Sequence, residues 1–162
     1  MAYLLDANVF IEAKNRYYGF DFCPAFWDWL DVRNSAGSVY SIERVGEELG
    51  AVEDEVSNWA AARNESFFLR PDSQTLPALV RVSAWATGQS YEASAVNTFL
   101  QAADYYLVGQ ALARGDTVVT QEVASTSRKK IKIPDACIGL GISHVTPFAM
   151  LRHEKARFVL DK

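Results

Sequence analysis

Of the 20 acidic residues in this chain, a few stand where a carboxylate can do chemistry. Asp6 closes the apolar run Tyr3-Leu4-Leu5 and is followed by Asn8, the position at which a buried strand delivers a polar group out of the end of a sheet. Glu122 follows the β-branched run Thr117-Val118-Val119-Thr120 in the same way. Asp104 borders the apolar stripe of a helical pattern instead of lying opposite it, and Glu47-Glu48 fall on a helix that follows a third strand candidate, Ser38-Val39-Tyr40-Ser41. Carboxylates brought together repel one another unless a cation lies among them. Hard divalent ions such as Mg²⁺ or Mn²⁺ take oxygen ligands, keep several waters and need only a few carboxylates. Such an ion lowers the pKa of a bound water and stabilises the leaving oxygen of an in-line displacement, so the chemistry these groups support is phosphodiester hydrolysis.

The elements that must position these acids are legible as alternating strands and helices. Val9 to Arg16 reads as a short helix broken at Gly19, and Pro24 opens a helix whose Phe26, Trp27 and Leu30 form an apolar face before Asn34-Ser35-Ala36-Gly37 stops it. Ser41 is placed to cap a helix carrying Ile42, Val45 and Leu49. Helices are predicted over 54–64 and 76–87, with Phe67-Phe68-Leu69 a brief strand between them. The longest helix is predicted from Asn97 to Ala113, with Phe99, Ala103, Leu107, Gln110 and Ala111 as its stripe and Gly115 as its stop. Arg128 to Asp135 reads as a basic loop or edge strand, then comes a helix from Pro134 toward Leu140 and a last strand at His144-Val145. This alternation predicts an α/β architecture with a central, mostly parallel sheet flanked by helices, and in such sheets ligands gather at the carboxyl ends of the strands.

Composition narrows the function classes. The chain has 162 residues, 49% of them hydrophobic and 22% charged, which suits one domain with a proper core and excludes global disorder. No apolar run is long enough to span a membrane, and Asp6 interrupts the start where a signal peptide would be apolar, so a soluble, cytoplasmic protein is expected. Cys23 and Cys137 lack metal or redox spacing and are expected as buried hydrophobes, while His144 and His153 are too dispersed for a zinc site. No Gly-rich phosphate loop and no Ser/His/Asp signature is present. A net charge of −4 and a pI near 5.2 rule out bulk electrostatic attachment to nucleic acid and require any such contact to be focused.

The segment Leu4-Leu5-Asp6-Ala7-Asn8-Val9 resembles the opening strand and Asp-x-Asn turn of PIN domains, a fold of metal-dependent ribonucleases that includes VapC-type toxins. Val45-Gly46-Glu47-Glu48-Leu49 is similar to that fold's Val-x-x-Glu-Leu helix. Asp104-Tyr105-Tyr106-Leu107 is similar to the start of its third-acid helix, and Val118-Val119-Thr120-Gln121-Glu122 to its Thr-x-acid strand end, with Glu where Asp is more usual. The aromatic stretch Tyr17 to Pro24 and the run Lys132-Ile133-Pro134-Asp135-Ala136-Cys137 resemble a further PIN-like group of prokaryotic proteins. The order and separations match over nearly the whole chain, which reads as a single PIN-like domain over 1–162. The resemblance implies an acidic, metal-binding catalytic set of Asp6, Glu48, Asp104 and Glu122, with Glu47 the competitor for the second place and Asn8 and Thr120 as supporting polar groups. It also implies an endoribonuclease using Mg²⁺ or Mn²⁺, the toxin of a type II toxin–antitoxin pair, a cognate antitoxin protein as partner, and a homodimer as a further option.

An acidic site repels RNA unless basic groups flank it. Arg128, Lys129, Lys130 and Lys132 form the densest positive run and follow the Glu122 strand, so they are expected to hold the RNA backbone. Lys14 and Arg16, interleaved with Tyr17, Tyr18 and Phe20, are a second candidate for phosphate contact and base stacking, although Phe20 and Phe22 read as core. The four tryptophans all fall in helical patterns and are expected to pack in the core or an interface. The rival reading is a PIN-like scaffold, catalytically inactive, that docks a protein partner. A phosphatase of the haloacid dehalogenase type would need a second Asp two residues after Asp6, and position 8 is Asn.

Overall fold

The strand segments are short and apolar, and they pair in parallel. The computed structural model describes residues 2–160. In it β1 (Tyr3–Leu5), β2 (Val39–Ile42), β3 (Phe68–Leu69), β4 (Thr117–Val119) and β5 (His144–Val145) form a five-stranded sheet in the order β3-β2-β1-β4-β5. Leu4 faces Tyr40 on one side and Val118 on the other, Ser41 faces Phe68 and Val118 faces His144, all in parallel. Successive residues Leu4 and Leu5, like Val118 and Val119, are fully buried. Because neighbours on a strand point to opposite faces, helices must cover both sides of the sheet, which is why these strands read as unbroken apolar runs.

The helices are α1 (Ala7–Glu12), α2 (Pro24–Ser35), α3 (Glu43–Leu49), α4 (Glu55–Ala61), α5 (Thr75–Gly88), α6 (Ala93–Gln101), α7 (Ala103–Arg114), α8 (Ile133–Leu140) and α9 (Pro147–His153). Among the described residues none is long and apolar enough to cross a membrane. Beside β1 to β3 the core is aromatic: Phe10 lies against Trp59 at 5.7 Å between ring centroids, Trp59 against Trp27 at 5.1 Å, and Phe20 stacks on Trp27 at 4.0 Å. Trp27 and Trp59 are thus core residues, while Trp29 and Trp85 are half-buried against the core.

The structure corrects several expectations. The single helix expected over Asn97 to Ala113 is two: Ala102 adopts an extended conformation (φ −89°, ψ 158°) and separates α6 from α7. Neither Gly nor Pro marks the break, and the four-residue apolar spacing runs straight through it, so periodicity alone gives no sign of it. Ser41 does not cap α3. It is fully buried in β2, its hydroxyl donates to the Leu5 carbonyl at 2.6 Å, and Ile42 takes the capping position. Phe22 is 67% exposed, because residues 18–23 form a turn closed by Cys23 N donating to Gly19 O at 2.8 Å. Cys23 is half-buried, whereas Cys137 is buried and its thiol is pushed up to about 12 by that burial. Residues 120–132 form a loop and not an edge strand. The sequence reading stopped short of α9, which Thr146 caps by accepting from Ala149 N at 3.1 Å.

Helices α5 and α8 meet so closely that a methyl group on Gly139 would lie 2.0 Å from Trp85 Nε1. Gly139→Ala should therefore destabilise the fold by about 1–3 kcal/mol through overpacking, despite Ala being the better helix former. Urea unfolding checks this, and a Trp85→Leu background should remove the penalty; a Gly139→Ala cost that persists there would contradict the contact.

Candidate active site

The sheet reverses its order of winding at β1: the chain moves from β1 outward to β2 and β3, then returns to place β4 on the other side. A crevice opens beyond the carboxyl ends of β1 and β4, where α/β sheets hold ligands. Asp6 and Glu122 both leave the sheet there. Asp6 N still donates to the Val119 carbonyl at 3.0 Å, so the first acid is tied to the end of β4 before α1 begins. The residue is only 4% exposed, and its carboxyl accepts from Thr120 Oγ1 at 3.1 Å. The same hydroxyl oxygen accepts from Glu122 N at 3.1 Å, so Thr120 joins the two acids. Glu122 then turns to the start of α8, where its Oε2 accepts from Ile133 N at 2.9 Å, a favourable place for a carboxylate.

Asp104 reaches the crevice from the first turn of α7, and the break at Ala102 is what puts a helix terminus there. With Asp6, Asn8, Glu47, Glu48 and Glu122 it lines a cavity of about 750 Å³. Burial raises the Asp6 carboxyl to about 7, with the charges of Asp104 and Glu122 adding to the effect and the Thr120 hydroxyl opposing it. Asp104 is raised to about 6, first by burial and then by Glu122 and Glu48, while Lys130 and Lys132 pull it down. Both Glu47 and Glu48 are exposed at the rim, and it is the Glu48 charge that acts on Asp104.

Among the described residues no three His, Cys, Asp or Glu side chains converge closely enough to chelate an ion as they stand. The donors are carboxylates, two of them raised chiefly by burial and then by neighbouring carboxylates, and His144 and His153 do not line the cavity. This set fits a hard divalent cation that keeps most of its water and takes one or two carboxylates directly, and it does not fit a zinc cage.

The cations are distributed unevenly. Lys129 and Lys130 line the cavity, and Lys132, at the head of α8, is near enough for its charge to act on Asp104. Arg128 lies outside the lining, its carbonyl accepting from Glu92 N at 2.9 Å. That bond, the Glu122–Ile133 bond and the acceptance of Ser125 N by Asp135 at 3.1 Å pin the 120–132 loop over the crevice. Lys14 is drawn away to Asp54 at 3.4 Å. Missed from the sequence is Arg44, which lines the cavity and stacks over the Tyr106 ring at 4.1 Å. Its spacing of three and four residues from Glu47 and Glu48 places it on their face of α3 and was the available signal. Ser94 and Thr98, one turn apart on α6, also present hydroxyl-bearing side chains to the cavity.

Fold and crevice together define a parallel α/β protein with a carboxylate cluster at its topological switch point. The chain belongs to the family described as Domain of unknown function (DUF4411), whose model matches residues 3–158. No curated protein and no solved structure matches it.

Proposed function

We propose that this protein is a metal-dependent endoribonuclease of PIN-like type. The observation that carries the reading is Asp6: an acid 4% exposed, at the switch point between β1 and β4, lining one cavity with Asp104 and Glu122, its carboxyl raised to about 7 by burial and by their charges. Asp6 and Asp104, with Glu48 and Glu122 beside them, would hold Mg²⁺ or Mn²⁺, which when bound supplies a water of lowered pKa and stabilises charge on a phosphate oxygen. Thr120 fixes the Asp6 carboxyl through its hydroxyl, and Asn8 presents an exposed amide to the same cavity. Lys129, Lys130 and Arg44 offset the repulsion between the acids and an approaching phosphodiester. The parallel sheet and the gathering of Asp6, Glu48, Asp104 and Glu122 around one cavity support the PIN-like reading. A toxin role, held in check by an antitoxin encoded next to it, rests on the sequence resemblance to PIN domains, as does homodimer formation.

Labelled single-stranded and structured RNAs incubated with the purified protein and Mg²⁺ or Mn²⁺ test the reading; cleavage is expected, and cleavage of none would favour the inactive scaffold. Reversing two cations, Lys129→Glu with Lys130→Glu, should weaken RNA binding and lower the slope of log affinity against log salt by about 1.4, at roughly 0.7 per single-strand phosphate contact. Fluorescence anisotropy across a salt series measures this, and an unchanged slope would remove the two lysines from the RNA path.

A further inference from the structure

A second cavity, of about 480 Å³, lies across the acidic ridge from the first, and the two share Asn8 and Glu122. Its chemistry is different. The first cavity carries Arg44, Lys129 and Lys130. In the second, Arg16 is paired with Glu12 at 3.2 Å, and with Glu122 alongside, the lining has no surplus of positive charge for a phosphate. What it offers instead is neutral hydrogen-bonding groups on Gln121 and Thr146 beside an aromatic wall of Tyr17 and Phe148. These two rings meet edge to face, centroids 5.0 Å apart at 85°, and Tyr17 is 42% exposed.

The backbone puts Tyr17 there. Helix α1 runs into a π turn over Ala13–Tyr17, closed by Tyr18 N donating to Ala13 O at 2.7 Å. The wider turn lets Tyr18 stack on the buried Phe26 at 4.5 Å while the adjacent Tyr17 is left at the cavity. Single π turns inserted in helices recur at functional sites.

We propose that this second cavity is a nucleobase subsite, in which one unpaired base of the substrate strand lies against Tyr17 beside Phe148 while the adjoining phosphates enter the lysine-flanked cavity. The shared edge at Asn8 and Glu122 then sets the scissile phosphodiester of the backbone next to the nucleotide whose base is held. The subsite takes its substrate strand from the ribonuclease reading and adds a place for the base. Its volume is within the range of about 300–1,000 Å³ of small-molecule sites, and an aromatic face accepts any base. A base held in a duplex cannot reach it.

The test uses a labelled single-stranded oligoribonucleotide, intact or with one abasic nucleotide placed at each position in turn. Binding is followed by anisotropy in Ca²⁺ and cleavage by steady-state kinetics in Mn²⁺. Tyr17→Ala should raise Kd and KM for the intact strand about ten-fold with kcat nearly unchanged, and Tyr17→Phe, which keeps the ring, should behave as wild type. One abasic position should cost the wild type a similar factor and cost Tyr17→Ala nothing more, the non-additivity of two partners in one contact. Equal binding of intact and all abasic strands by the wild type, or an abasic penalty undiminished in Tyr17→Ala, would overturn the subsite. RNA that is cleaved with no dependence on Tyr17 overturns the subsite and leaves the ribonuclease reading standing. RNA that is bound with the Tyr17 signature but not cleaved upholds the subsite and removes the ribonuclease reading. RNA neither bound nor cleaved removes both.

Discussion

Replacing Asp6 by Asn is expected to lower the proposed RNA cleavage on the order of a thousand-fold, about 4 kcal/mol of transition-state stabilisation, and to leave the fold in place; Asp104→Asn should do the same. The substitution keeps volume and shape, and an Asn oxygen can still accept from Thr120 Oγ1, which lies 3.1 Å from the Asp6 carboxyl. What it removes is a negative charge in a nearly dry position, where charge has its greatest effect on a cation or a developing anion. For Asp104 the same argument runs from the first turn of α7, where the loss of charge also relieves Asp6. Initial rates measured for both variants beside the wild type, with circular dichroism to establish folding, check the expectation. Cleavage at the wild-type rate in both variants would place the chemistry elsewhere.

Stability should depend on pH and on divalent cation in a way that the same two carboxyls dictate. Both are raised from 3.8, Asp6 to about 7 and Asp104 to about 6, so the folded protein binds protons more tightly than the unfolded chain between these values. The stabilisation is fully present below pH about 4, falls away progressively as pH rises, and is lost once pH has passed through the folded values of about 6 to 7. At about 1.4 kcal/mol per pH unit the loss from Asp6 is on the order of a few kcal/mol. A divalent cation replaces the protons: at pH 8, Mn²⁺ at a hundred-fold excess over its Kd should add about 2.7 kcal/mol, raising Tm by roughly 5–10 °C for a chain of this size. Asp6→Asn should flatten the pH dependence, remove most of the cation shift, and be more stable than the wild type at pH 8 in EDTA. Calorimetry or dye-monitored melting with EDTA and with Mn²⁺ reads all three. An equal Mn²⁺ shift in wild type and variant would mean that the ion binds away from Asp6.

The sequence by itself determined the alternation of strands and helices, and with it the emergence of Asp6 and Glu122 from the carboxyl ends of strands. Both follow from features local to a few residues: an apolar or β-branched run that has to be buried, then a polar residue where burial ends. The basic run near Lys129 and the apolar faces of α2, α3 and α5 were legible for the same reason. Only the tertiary structure decided which acids meet. Asp104 faces Glu122 and Glu48 because Ala102 turns the chain between α6 and α7, and nothing in an Ala-Ala dipeptide encodes that turn; the packing of two helices against the sheet imposes it. Arg44 joins the site across α3 and α7 through its contact with Tyr106, and Tyr17 meets Phe148 across more than a hundred residues of chain. Such pairings depend on how whole elements settle against one another, where burial of apolar surface outweighs local preference, so periodicity places each residue on its element and the fold alone places the elements around the crevice.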